Sequence, residues 1–333
     1  MEHVAVIGAG SWGTTLAILL AEKGYPILLW VRDDRQYERM REERVNARYL
    51  PGIPFPESLE LTGDLQQAVD FGHYIVLAVP SHAMRAVCQQ FQQPKKHQIF
   101  ISVSKGIEND TLLRMSEVIA ETTGASPSGI ATLSGPSHAE EVSRKIATAV
   151  VSASTNLNTA RQVRELFRTE YFRVYSSDDI VGVELGGALK NVIAIAAGIA
   201  DGAGFGDNTK AALLTRGLVE MTRLGVMLGA RRETFAGLSG MGDLIVTCMS
   251  QHSRNRFVGE QIGRGRHLDD ILQEMVMVAE GVRTTRSVHQ LCEKTGVEMP
   301  ISEQVFQVLF NKKSPLKAVH DLMTRDPKEE RFE

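Results

Sequence analysis

Hydrophobic positions fall into two textures along the 333 residues. In the first half, short apolar runs alternate with segments of helical period. The runs at 3–8, 26–31, 59–62, 73–79, 98–103, 129–134, 147–153 and 172–175 are rich in β-branched and aliphatic residues, as buried strands are. Between most of them, 11–23, 34–45, 64–70, 82–92, 111–122 and 156–168 carry helical patterns. That alternation predicts a mostly parallel sheet with helices on both faces. Around Asp178 the texture changes. From there Leu185–Ala200, Lys210–Leu228, Leu268–Met275, Thr284–Thr295, Ser302–Phe310 and Pro315–Thr324 read as helices separated by glycine-rich loops. The expectation is an α/β domain over 1–178 followed by an all-α domain over 179–333.

Composition narrows the classes. Hydrophobic content of 43% and charged content of 23% are ordinary for a globular chain. A net charge of −3 gives no bulk electrostatic case for a nucleic-acid partner. Cys88, Cys248 and Cys292 have neither metal-ligand spacing nor the even count of a disulfide framework, which fits a reducing cytoplasm. The first strand starts at His3, so no secretory leader is expected ahead of it. The apolar run Leu185–Ala200 is short and contains Lys190, so stable membrane insertion is not expected. The histidines show no metal spacing, and no metal is expected.

One motif refines the first domain. Val4-Ala5-Val6-Ile7 runs into Gly8-Ala9-Gly10-Ser11-Trp12-Gly13 and then into an apolar helix start. A G-x-G-x-x-G turn between a strand and a helix is a dinucleotide-binding fingerprint of a Rossmann-like domain. Gly8 permits the tight turn, Gly10 lets a pyrophosphate approach the backbone, and Gly13 lets the helix pack on the strand. The free N–H groups of the helix start then face an anion. Further on, Arg32 suits a 2′-phosphate and Asp33 suits a free 2′-hydroxyl. NADPH is slightly favoured over NADH because Arg32 lies closer to the strand end. Equally, residues 32–35 read as a solvated helix start with acids near its dipole.

Several segments can carry chemistry. Lys105 follows the strand 98–103, at the carboxyl end where ligands of open α/β sheets bind. Ser137 and Glu140 have capping-box spacing, while Gly135 exposes backbone. Lys190 stands in a run of small and apolar residues. Burial there would lower its pKa and make it a proton donor or acceptor near neutrality; the plainer alternative is a lysine whose head reaches water. Asn191 and Glu184 are close to it in sequence. Gly202–Asn208 and Gly237–Asp243 are glycine-rich loops, and Asp243 and Thr247 share a face if a helix runs through them. Ser253-Arg254-Asn255-Arg256 suits a phosphate, or is simply a basic turn. On residues alone a redox sensor that binds NADPH without turnover stays open, as does a related dehydrogenase or imine reductase for another small acid.

Taken in order, GAGSWGTTLA, NARYLPG (46–52), VSKG (103–106), LSGPSHAEE (133–141), ELGGALKNVIAIAAGI (184–199), GLSGMGDLIVTC (237–248), SRNR (253–256) and VAEG (278–281) resemble the bacterial NAD(P)-dependent glycerol-3-phosphate dehydrogenases from end to end. The resemblance implies reversible reduction of dihydroxyacetone phosphate to sn-glycerol 3-phosphate, a phospholipid precursor. It implies Lys190 as the general acid and base, with Lys105, Asn191, Asp243 and Thr247 around it. It implies substrate contacts from Lys105, Gly135, Ser137, Lys190, Asp243, Ser253, Arg254 and Asn255. It implies NADP or NAD held by Gly8, Gly10, Ser11, Trp12, Gly13, Arg32, Tyr49, Lys105, Ala139, Arg254, Val278 and Glu280. Trp12 stands where some members have Tyr or Phe, and Asp33 where some have Arg, which weakens the case for NADP. A cytoplasmic homodimer is compatible with the resemblance.

Overall fold

The structure is a computed structural model, and it describes residues 2–92, 95, 97–327 and 329–330. The chain divides into two compact units, one of residues 1–104 with 115–180 and the other of 105–114 with 181–333. The first unit runs β1 (Val4–Ile7), α1 (Ser11–Glu22), β2 (Ile27–Trp30), α2 (Asp34–Glu43), β3 (Val45–Asn46), β4 (Leu50–Pro54), β5 (Leu59–Thr62), α3 (Leu65–Phe71), β6 (Tyr74–Leu77), α4 (Met84–Cys88), β7 (Ile99–Ser102), α5 (Met115–Thr123), β8 (Ile130–Ser134), α6 (Ala139–Val142), β9 (Thr148–Ala153), α7 (Leu157–Phe167) and β10 (Phe172–Ser177).

The apolar runs of the first half all enter one eight-stranded sheet, in the order β10-β9-β8-β7-β6-β1-β2-β5. Its pairs are parallel except β8 with β9. Strands β1, β2, β6 and β7 are buried at every position, as strands covered on both faces must be. Counted in chain order, β5-β2-β1-β6-β7-β8 has the 3-2-1-4-5-6 order of doubly wound nucleotide-binding sheets, with its switch point between β1 and β6. The two-residue and five-residue strands β3 and β4 form a separate antiparallel ribbon that the hydrophobic pattern does not signal.

Two helix expectations in this unit need correction. The segment 82–92 is a 3-10 turn followed by a short α4 that ends at Cys88. The segment 111–122 does not begin as a helix, because Asp110 and Leu112 adopt left-handed φ values of 69° and 61°. Helix α5 starts only at Met115. Residues 105–114 instead leave the sheet unit, bury Ile107 in the core of the second unit, and return.

The second unit runs α8 (Ile180–Gly202), α9 (Asp207–Met227), α10 (Arg232–Phe235), a π-turn at Leu238–Gly242, α11 (Asp243–Met249), α12 (Arg254–Gly263), α13 (Leu268–Glu274), α14 (Glu280–Thr295), α15 (Pro300–Phe310) and α16 (Pro315–Met323). Helix α8 is longer than the apolar run suggested and is long and apolar enough to cross a bilayer. It is a core helix here, with 94% of its most apolar window buried. Its glycines set its neighbours. A Cβ at Gly198 or Gly202 would overlap the carbonyls of Arg256 and Glu260, and one at Gly259 or Gly263 would overlap those of Ile195 and Ile199. Helices α8 and α12 therefore cross backbone to backbone. Elsewhere in the unit, Glu220 of α9 is buried and caps α15, accepting from Ile301 N at 2.7 Å and from Ser302 N and Oγ at 3.2 Å. Pro300 and Met299 supply no such cap themselves.

Candidate functional site

The second unit gathers two lysines on one buried carboxylate. Lys190 sits midway along α8 and is 5% exposed; Asp243 opens α11 and is 2% exposed. Close packing brings them together: a Cβ at Gly186 of α8 would stand 2.6 Å from the Ser239 carbonyl oxygen, inside the π-turn that leads into Asp243. Lys190 Nζ lies 3.0 Å from Asp243 Oδ1 and donates to Thr247 Oγ1 at 2.6 Å. Lys105 Nζ donates to Asp243 Oδ2 at 2.7 Å. The Thr247 hydroxyl in turn donates to Asp243 Oδ1 at 3.3 Å, across the single helical turn that the four-residue spacing implies. Glu184, near Lys190 in sequence, pairs with Arg114 at 2.6 Å.

Burial lowers the Lys190 pKa to about 8; Asp243 opposes that effect and Lys105 adds to it. Burial would raise the Asp243 carboxyl, but Lys105 and Lys190 outweigh it and hold the group below its usual range. The result is an anchored cation that can give up or take a proton near neutral pH.

A chain of amides adjoins Lys190. Asn255 Nδ2 donates to Asn191 Oδ1 at 2.8 Å, and Asn255 Oδ1 accepts from Gly281 N at 2.9 Å. Ser253 caps α12, its hydroxyl accepting from Arg256 N at 3.2 Å. Arg254 reaches the Val278 carbonyl at 3.2 Å, and Glu280 opens α14 two residues on. The arginines of SRNR part company: Arg256 is taken up by Asp201 through Nε at 2.8 Å and Nη2 at 2.7 Å, and by Glu260 at 3.3 Å. Arg256 is therefore a structural residue joining α12 to α8.

In the first unit the glycine turn has two kinds of glycine. A Cβ at Gly8, where φ is 117°, would stand 2.7 Å from the Ala78 carbonyl oxygen, and one at Gly13 would overlap the Gly8 carbonyl. Gly10 has no atom within 4 Å of its Cβ position. The open face lies at the start of α1, which has no side-chain cap and no acid in its first turn. That combination fits an anionic pyrophosphate. Ser11 is buried in the first turn, and Trp12 packs its ring 6.4 Å from Phe172. The Ala139 carbonyl accepts from Thr15 Oγ1 at 3.4 Å, which sets α6 beside α1.

At the end of β2, Arg32 is exposed and Asp33 caps α2, its Oδ1 accepting from Gln36 N at 2.8 Å. The helix-start reading of Asp33 is thus realised. Tyr49 follows the ribbon turn, its ring 5.1 Å from the Arg48 guanidinium. Gly135 has φ 143°, and its Cβ would press on Val150 at 3.0 Å. The capping box expected of Ser137 and Glu140 does not form. Helix α6 starts one residue later, with His138 at the N-cap, and the Ser137 hydroxyl turns back to the Gly135 carbonyl at 3.0 Å. Sequence reasoning assigned no role to Asn46, a fully buried amide against the glycine turn. Its partners are 37 and 32 residues away, so spacing held no signal for it.

Both halves of the chain match known proteins. Residues 3–160 match the model of the NAD-dependent glycerol-3-phosphate dehydrogenase N-terminus, and residues 179–320 that of its C-terminus. Among curated relatives, the NAD(P)+ glycerol-3-phosphate dehydrogenase of Chlorobium limicola is 53% identical, over 98% of this chain and 99% of its own. The enzyme of the same name from Citrifermentans bemidjiense is 54% identical, over 99% of both chains. The crystal structure of glycerol-3-phosphate dehydrogenase from Coxiella burnetii superposes with a TM-score of 0.93 at 40% identity, covering 97% of this chain and 99% of that one. With both halves matched in order and the fold shared, this chain belongs to the NAD-dependent glycerol-3-phosphate dehydrogenase family.

Proposed function

We propose that this chain reduces dihydroxyacetone phosphate to sn-glycerol 3-phosphate with NADPH or NADH, reversibly, and so supplies the backbone of glycerophospholipids. The observation that carries the reading is the buried Lys190, pinned by Asp243 and Thr247 and poised at about 8. Hydride chemistry comes from the bound nicotinamide. As negative charge builds on the substrate carbonyl oxygen, the Lys190 ammonium stabilises it and then delivers a proton from Nζ. In the oxidative direction neutral Nζ takes the hydroxyl proton. Asp243 holds Nζ in place and keeps the cation from being lost to burial, while Lys105, Asn191 and Thr247 complete the polar surroundings.

In this reading residues 1–178 are the dinucleotide-binding domain and 179–333 the substrate domain. Gly8, Gly10, Ser11, Trp12, Gly13, Arg32, Tyr49, Lys105, Ala139, Arg254, Val278 and Glu280 contact the cofactor. The open face at Gly10 supports the pyrophosphate position, and the exposed Arg32 supports a 2′-phosphate, with Asp33 committed to its helix. Lys105, Gly135, Ser137, Lys190, Asp243, Ser253, Arg254 and Asn255 contact the substrate, whose phosphate Arg254 and Asn255 grip. The cytoplasm and a homodimer without membrane insertion complete the proposal; light scattering of the purified chain tests the dimer.

The deciding assay follows NADPH absorbance with dihydroxyacetone phosphate and with unphosphorylated dihydroxyacetone. Arg254→Ala should raise KM for the phosphorylated substrate about ten- to a hundredfold, the worth of a charge-assisted hydrogen bond. Equal turnover of the two substrates by the parent, or unchanged kinetics in the variant, defeats the phosphate assignment.

A further inference from the structure

The glycine turn is clamped from outside its own segment. Asn46, on the short strand β3, has no exposed surface. Its Nδ2 donates to the Ala9 carbonyl at 3.0 Å and to Thr14 Oγ1 at 2.8 Å. Ala9 lies within the glycine turn and Thr14 in the first turn of α1, so one amide group ties the turn to the helix it opens. A second amide, Gln36 Nε2 of α2, donates to the same Ala9 carbonyl at 3.1 Å. The Asn46 side chain is itself oriented, because its Oδ1 accepts from Tyr49 N at 3.3 Å and from Gln36 Nε2 at 3.5 Å.

The geometry of a trans peptide turns this clamp into a statement about binding. Carbonyl and N–H of one peptide point in opposite directions. The chain has no cis peptides among its described residues. Two donors holding the Ala9 carbonyl on one side therefore aim the Gly10 N–H to the other. Gly10 is also the glycine whose Cβ position is open. Without the clamp, the Ala9–Gly10 peptide has little to stop it rotating, since Gly10 carries no side chain.

We propose that Asn46 is a positioning residue for dinucleotide binding, and that with Gln36 it fixes the Ala9–Gly10 peptide so that its N–H faces the pyrophosphate. This rests on the reading of residues 8–13 as the dinucleotide site. Asn46 touches no cofactor atom in this scheme; it preorganises a donor that does. The same two amides link the turn to α2, whose start carries Arg32 and Asp33, so the clamp also sets the phosphate end and the ribose end in one register.

The test uses the full chain and two variants. Asn46→Asp keeps the size and the acceptor for Tyr49 N but presents an oxygen where the donor stood. Gln36→Leu removes the second donor from a half-buried helix position, where folding is tolerant. NADPH dissociation constants come from fluorescence titration, kcat and KM from initial rates, and melting temperature from a thermal scan. Asn46→Asp should weaken NADPH about tenfold or more, the loss of one to two buried hydrogen bonds, with Gln36→Leu losing less. KM for dihydroxyacetone phosphate and kcat at saturating NADPH should stay near parent values. A purely structural Asn46 would instead lower the melting temperature and the active fraction, leaving the dissociation constant of the folded protein unchanged. That result, or a parent-like constant in folded Gln36→Leu and Asn46→Asp, overturns the proposal. A parent chain that does not bind NADPH overturns the functional reading beneath it, which keeps the two failures distinct.

Discussion

Asp243→Asn isolates the electrostatics of the candidate acid. The carboxylate lies 3.0 Å from Lys190 Nζ and 2.7 Å from Lys105 Nζ, and is almost wholly buried. It opposes the burial that lowers Lys190 to about 8, while Lys105 works with the burial. Removing its charge leaves both depressing influences opposed only by the smaller effect of Cys248. An opposite charge at this range moves a pKa by about one to three, so the pH at which Lys190 loses its proton should fall by about that much. In the parent, about half of Lys190 is protonated at pH 8. In the variant that fraction drops to between about a tenth and a thousandth at the same pH. Reduction of dihydroxyacetone phosphate should therefore slow by about fivefold to several hundredfold near pH 8, with much of the loss recovered on acidification.

The assay is the pH profile of kcat for reduction at saturating NADPH, with a thermal melt to confirm folding. The parent should lose reductive activity as pH rises through about 8, and should gain oxidative activity over the same interval. A folded Asp243→Asn protein whose reductive profile breaks at the parent pH would refute the coupling. A profile in the parent with no break near 8 would remove Lys190 from the proton transfer.

Lys190→Ala should lower kcat about a hundredfold or more while leaving NADPH affinity intact, as loss of a general acid does; near-normal kcat excludes the role. Gly10→Ala should fold with a parent-like melting temperature, since its Cβ meets nothing and φ is −78°, yet bind NADPH weakly. Gly13→Ala should fail in folding itself, because its Cβ overlaps the Gly8 carbonyl; equal behaviour of the two in melts and titrations contradicts the distinction. Glu220 is the stability probe. Burial raises its pKa from 4.5 to about 7 against the opposing hydrogen bonds of Ile301 and Ser302. The folded state thus holds that proton more tightly than the unfolded chain. The stability so gained is full below about pH 4.5 and is lost as pH rises through about 7. It amounts to roughly 3 kcal/mol at about 1.4 kcal/mol for each pH unit. Glu220→Gln should melt higher relative to the parent at pH 8 than at pH 5, and an unchanged gap would sink this account.

The sheet was legible because its signal is local. Runs such as Val4–Ile7 and Tyr74–Leu77 must be apolar throughout if both faces are covered. Boundaries were less legible where backbone conformation overrode pattern. Asp110 and Leu112 adopt left-handed φ that nothing in their residue types demands, and so residues 105–110 and 111–114 run as a connected loop. The Ser137 box failed because the chain turns at Gly135, whose carbonyl gave the serine hydroxyl a nearer acceptor. The ribbon β3–β4 escaped notice because its five-residue strand contains two prolines and a glycine.

By itself the sequence determined the eight strands of the main sheet and the turn of Gly8, Gly10 and Gly13, and the order of its motifs resembled a family whose pattern points to Lys190, Asp243 and Thr247. Strands and turn follow from periodicity and residue type, which are properties of short segments, whereas the candidate roles of the three side chains came from the resemblance. Tertiary structure alone decided which groups meet. Asp243 lies between Lys190 and Lys105 because Gly186 lets the π-turn reach α8, and Asn255 meets Asn191 because paired glycines let α12 touch α8. Asn46 reaches Ala9 across a separation of 37 residues. Such contacts depend on where backbones can approach, and close approach is set by the packing of whole elements, so no local window contains it.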